Sequence, residues 1–157
     1  MKTLIAGLGN PILTDDGIGP EVAKELQSRL DPLEATIVEC SLGGLNMLDL
    51  LTGYDRAIII DAIETEGGEA GQIYQLDATA LDATRHGSSI HEVNLTTALE
   101  LGKKLGMALP REISIFAIEV ADTNTFSEKC TSAVQSAVPR CVELVINELK
   151  KDSIVNS

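Results

Sequence analysis

Tryptophan is absent, and aromatic side chains make up only 3% of the 157 residues, two Tyr and two Phe. A chain so poor in aromatics cannot build a stacking platform for bases or sugars. Basic residues are also scarce: 12 Lys and Arg stand against 24 Asp and Glu, a formal net charge of −12. The Lys and Arg form no cluster, and the sequence pI is about 4.4. Binding to nucleic acid or to an acidic membrane surface needs clustered positive charge, so both are excluded as expectations. The three cysteines, Cys40, Cys130 and Cys141, show no Cys-x-x-Cys or other zinc spacing. Their odd number, with no signal peptide recognisable, points to a reducing cytoplasm. The opening MKTLIAGLGN breaks at Gly7 and is too short for a signal core or a membrane span. Two common protease signatures are missing as well. There is no Gly-x-Ser-x-Gly elbow, and His91-Glu92 lacks the second His of a zinc-binding helix.

What is present is a globular balance, with 44% hydrophobic and 23% charged residues. The length suits one domain, expected over residues 1–150, with 151–157 as a fraying tail. Short apolar runs alternate with helical patterns throughout. Strands are expected at Thr3–Leu8, Ala35–Cys40, Arg56–Ile63, Gly71–Leu76 and Glu112–Val120. The fourth follows its predecessor after a link too short for a crossover helix, which makes it an antiparallel edge. Helices are expected from Gly19-Pro20, around Leu45–Leu51, over His91–Leu105, and over Thr131–Lys150 with a break at Pro139. That order describes a three-layer α/β/α domain: a mostly parallel twisted sheet of about five strands with helices on both faces. Ligands of such sheets bind at the carboxyl ends of the strands.

Several residues at those ends could carry chemistry. The loop after the first strand reads Gly7-Leu-Gly-Asn10-Pro-Ile-Leu-Thr-Asp15-Asp16-Gly17. A dinucleotide site fits it poorly. The third glycine position holds Ile12, and two adjacent carboxylates would repel a pyrophosphate. A turn and a cation site remain open. Asp61 is a lone charge inside the apolar run RAIIIDAI, costly there unless paired or bound to a cation. His91 lies at the expected start of the third helix, where Ser88 and Ser89 could cap it. The dipole there would favour neutral imidazole, the ligating form. Two carboxylates and one imidazole suit Ni, Zn or Fe(II). Glu119 closes the last strand and reads as a solvated terminus.

GLGNPILTDDGIGPEVAKEL resembles the opening of the nickel–iron hydrogenase maturation proteases, and IIIDAI and SSIHEVNL resemble that family's second and third signatures in the expected order. The resemblance covers nearly the whole chain. It implies that Asp16, Asp61 and His91 are both the metal ligands and the catalytic set, with Asn10, Asp15, Gly43 and Gly44 around them or touching substrate. It implies an endopeptidase that removes the C-terminal extension of a hydrogenase large-subunit precursor once nickel has been inserted. The nickel would belong to the precursor, and zinc or cadmium could take its place in a crystal. A monomer is expected. The sequence departs from the family pattern at Asp16, where some members have Glu, and at Glu39–Gly44, which replaces a more usual Asp-Gly-Gly-Thr run. Two other readings share some of these residues. One is a non-catalytic nickel-binding maturation chaperone. The other is a peptidyl-tRNA hydrolase, which also opens on Gly-Leu-Gly-Asn-Pro but whose tRNA substrate the charge of −12 opposes.

Overall fold

The computed structural model of the protein describes residues 1–41, 46–77, 87–89 and 92–155. Among the described residues, six strands and five α-helices follow one another as β1 (Thr3–Leu8), α1 (Ile18–Arg29), β2 (Thr36–Cys40), α2 (Asn46–Leu51), β3 (Arg56–Thr65), β4 (Ile73–Asp77), β5 (Gly87–Ser89), α3 (Glu92–Lys104), β6 (Glu112–Glu119), α4 (Ser132–Gln135) and α5 (Val138–Val155). The sheet order is β2-β1-β3-β6-β4, with β5 paired to β3 off that path. β2, β1, β3 and β6 are parallel.

The period-two alternation of the strands explains the three layers. Ile5, Ile58, Ile60, Phe116 and Ile118 point to one face, where they pack with Val22 and Leu26 of α1 and with Cys141, Val142 and Val145 of α5. Leu4, Ala6, Leu8, Ala57, Ile59 and Ile115 point to the other, against Met47 and Leu51 of α2 and Leu99 of α3. Asp61 continues the second set. On the first face, α1 lies directly on β1. A Cβ on Gly7 would stand 2.2 Å from the carbonyl oxygen of Gly19, and one on Gly19 would stand 2.3 Å from that of Leu8 and 2.6 Å from that of Ile60. Only glycine allows that approach.

The details sharpen the expectations. The fourth strand is an antiparallel edge, but its partner is β6, not its predecessor β3. The β3 edge on that side is already filled by β6 from Arg56↔Glu112 to Ile63↔Glu119. β5 is a sixth strand beyond the five of the main path. Ser88 and Ser89 belong to it. The closing helix is split in two, and Pro139 sits in the first turn of α5, where a missing N–H costs nothing. Leu105 falls beyond the end of α3 and is exposed. α5 runs on to Val155, into the stretch expected to fray. Among the described residues, no helix is long and apolar enough to cross a membrane.

Candidate active site

β1 pairs with β3 only as far as Gly7↔Ile60. β5 pairs with β3 from Ile63 to Thr65. Ile63 also pairs with Glu119 of β6 on one edge, so β5 occupies the other, the edge that β1 has left. Asp61 and Ala62 therefore form a short window of β3 with β6 on one side and neither β1 nor β5 on the other. A carboxylate in the middle of the most apolar strand is thus placed where the sheet divides. Asp61 is only 4% exposed, and its Oδ1 accepts the N–H of Ala62 at 2.8 Å.

The loop that leaves β1 turns back beside this window. Thr14–Gly17 form a 3₁₀ turn that packs against β3. Asn10 builds the approach: its Oδ1 accepts the N–H of Ile12 at 3.1 Å, and its carbonyl accepts that of Leu13 at 3.1 Å. The Asn10 N–H in turn donates to Oδ2 of Asp16 at 2.9 Å. Asp16 is buried, and its carbonyl lies 1.8 Å from where a Cβ on Gly9 would stand. Gly9, at φ +144°, is required there. Thr14 adopts φ +50°, left-handed backbone that β-branched residues rarely take. Its hydroxyl donates to the carbonyl of Thr125, and its N–H to that of Ser127 at 3.0 Å. Those bonds hold the strained residue just before the two aspartates.

The neighbouring aspartates have different surroundings. Asp15 is fully buried, and both its oxygens are engaged. Oδ2 accepts the N–H groups of Ala121 and Asp122 at 3.0 Å each, and Oδ1 that of Thr131 at 2.7 Å. The Thr131 hydroxyl donates to the same carboxylate. Asp15 thereby ties the β1 loop to the segment after β6. That segment has its own acidic anchor: the Thr125 hydroxyl and the N–H groups of Asn124 and Thr125 hold the Asp122 carboxyl below its usual range. Nothing in the sequence marks Thr131, 116 positions from Asp15, as its partner.

Glu119 differs from its expected role as a solvated terminus. It is 2% exposed, and its carboxylate accepts the Thr65 N–H at 2.8 Å, the Thr65 hydroxyl, and the Tyr74 hydroxyl at 3.1 Å. It fastens the far end of β3 to the start of β4. Cys130 and Cys141 offer no nucleophile there. Burial pushes the Cys130 thiol up to about 11, with help from the charges of Asp15 and Glu21. Burial alone pushes Cys141 up to about 12. Both thiols stay protonated at neutral pH.

The structure thus brings Asn10 and Asp16 into contact and sets their turn against the strand that carries Asp61. Gly43, Gly44 and His91 lie outside the described residues. Among the described residues, no three His, Cys, Asp or Glu converge as a metal site.

Known proteins share this arrangement of chain. The hydrogenase maturation protease family matches residues 20–148. The coenzyme F420 hydrogenase subunit delta of Methanothermobacter thermautotrophicus is 26% identical over 159 residues, covering 94% of each chain. The hydrogenase 2 maturation protease of Escherichia coli is 23% identical over 156 residues, covering 98% of this chain and 94% of the relative. The solved hydrogenase maturating endopeptidase HybD from E. coli superposes with a TM-score of 0.84 at 23% identity, over 97% of this chain and 94% of that one. The matched family spans most of the sheet and its helices, Asp61 included, and the chain belongs to the hydrogenase maturation protease family.

Proposed function

We propose that this protein is the endopeptidase that removes the C-terminal extension of a nickel–iron hydrogenase large-subunit precursor after nickel insertion, and that it reads the nickel held by the precursor. The observation that carries this reading is the pair of buried carboxylates, Asp16 and Asp61, at the division of the sheet. Both are acidic oxygen donors suited to a divalent cation. His91 is the third ligand. In support, β5 runs antiparallel toward Asp61, its last residue Ser89 stands opposite Ile63, and His91 is two positions further along the chain.

The nickel belongs to the substrate and would arrive in the precursor. A metal so placed polarises a nearby carbonyl or lowers the pKa of water. Hydrolysis then adds water across the scissile amide: the C–N bond breaks, and the departing amine takes up a proton. Asp15 cannot share in this, because its lone pairs already face four donors. Accepting the proton of the attacking water falls to Asp16 and Asp61. The test is cleavage of nickel-loaded precursor by the wild type and by Asp16→Asn, Asp61→Asn and His91→Ala, followed by mass spectrometry. The wild type should release the extension, and each variant should lose at least 100-fold in rate. A wild type that binds nickel tightly by itself and releases no peptide would be a carrier instead.

A further inference from the structure

The loop that carries Asp16 is stitched to the segment after β6 by an isolated parallel bridge, Leu13↔Ser127. The Ser127 N–H donates to the Ile12 carbonyl at 2.9 Å, and the Thr14 N–H to the Ser127 carbonyl at 3.0 Å. In a parallel register the residues before the bridged pair are neighbours too. Ile12 and Phe126 each directly precede the bridged residue of their own segment, so the bridge brings their backbones close together. Both are exposed, Ile12 by 46% and Phe126 by 80%. The chain has only two phenylalanines, and the other, Phe116, is wholly buried. An exposed Phe on a fastened loop belongs to neither core cluster, and exposed apolar residues brought close together mark interaction sites.

The pair is held in register with the candidate active site. The Asp16 N–H donates to the Leu13 carbonyl at 3.1 Å, and the Asp15 carboxylate anchors both ends of the second segment, at Ala121 and Thr131. The surroundings are acidic. Exposed Glu64, which accepts the Thr123 hydroxyl at 3.2 Å, and exposed Glu128 flank the segment, whose only basic residue is Lys129.

We propose that Ile12 and Phe126 seat an extended segment of the hydrogenase precursor beside its scissile bond, a segment with a large apolar side chain flanked by Lys or Arg. The apolar pair receives the side chain, and the acidic rim complements the charge. This rests on the proposed function, since the occupant is the substrate of that site. The experiment uses nickel-loaded precursor with the wild type, Phe126→Ser, Ile12→Ser, their double variant, and Leu33→Ser as control. Leu33 is 95% exposed, in the turn before β2 at the opposite end of the sheet. Steady-state cleavage and precursor binding by calorimetry are both measured, and urea midpoints confirm folding. The docking variants should raise KM and the precursor Kd about tenfold, the double variant more, with kcat within twofold. Leu33→Ser should leave both constants alone, and 0.5 M salt should weaken wild-type binding. Wild-type cleavage with unaltered KM and Kd in the double variant overturns the docking contact and leaves the endopeptidase standing. No wild-type cleavage, with binding that still depends on Phe126, refutes the endopeptidase and keeps the contact. A wild-type dimer in sedimentation that Phe126→Ser dissolves assigns the patch to a second copy and overturns the proposal.

Discussion

Asp15 and Asp16 are adjacent, identical in side chain and both buried, yet they should fail in opposite ways when neutralised. Asp15→Asn keeps the shape but replaces one oxygen by an amide. With the amide on the Oδ2 side, it faces the N–H groups of Ala121 and Asp122. On the Oδ1 side it faces the N–H of Thr131, while the Thr131 hydroxyl can turn to accept. The second arrangement is better, and it still loses one bond outright. A hydrogen bond to a charged group is worth about 1.5–3 kcal/mol, and the two N–H bonds that survive weaken by roughly 0.5–1 kcal/mol each as the charge goes. The total is about 3 kcal/mol, a large part of a domain's stability. At roughly 2–4 °C per kcal/mol for a chain of this size, Tm should fall by about 6–12 °C. Asp16→Asn can still accept the Asn10 N–H, so its stability should fall by only about 1 kcal/mol. Cleavage should vanish in Asp16→Asn and persist in Asp15→Asn at 20 °C, where the latter is still folded. Urea unfolding and precursor cleavage measure the two quantities on the same preparations. Asp15→Asn with a wild-type midpoint and no activity would refute the division of labour and make Asp15 a chemical group.

Other perturbations follow from the same contacts. Gly19→Ala would drive a methyl into the carbonyls of Leu8 and Ile60, and should cost about 3 kcal/mol or more by urea unfolding. Glu119→Gln can turn its amide to the two hydroxyls and should lose about 1 kcal/mol, whereas Glu119→Ala leaves the Thr65 N–H without its partner and should lose about 3 kcal/mol. Iodoacetamide at pH 8 should leave Cys130 and Cys141 unmodified, as mapped by mass spectrometry. The same two thiols make stability pH-dependent. Their folded pKa values lie above the unfolded one, so their contribution is full below about pH 9 and declines as pH rises toward 11–12. Thermal melts between pH 8.5 and 11 should fall less steeply for Cys130→Ser than for the wild type.

Much of the fold was legible because its signals are local. The apolar runs of β1, β3 and β6 are each interrupted by a single Gly, Asp or Ser, and Gly19-Pro20 marks the first turns of α1. Asp61 could be singled out for the same reason, as a charge where the period-two pattern calls for an apolar side chain. Contacts across long separations left no such trace. The β4 partner depended on β6 having filled the edge of β3 first. β5 is only three residues long, too short to show a period. The adjacent Asp15 and Asp16 look alike in sequence, and only Thr131, Ala121 and Asp122 separate their roles. Glu119 looked like a solvated strand end because Thr65 and Tyr74, which bury it, come from two other strands. The bridge joining Leu13 to Ser127 was invisible for the same reason.

The central claim is that the protease acts on a precursor that carries nickel. The most direct measurement incubates the purified protein with nickel-loaded and nickel-free forms of one large-subunit precursor and weighs the products by mass spectrometry. The account predicts loss of the C-terminal extension from the nickel-loaded form alone. Equal cleavage of both forms would contradict it.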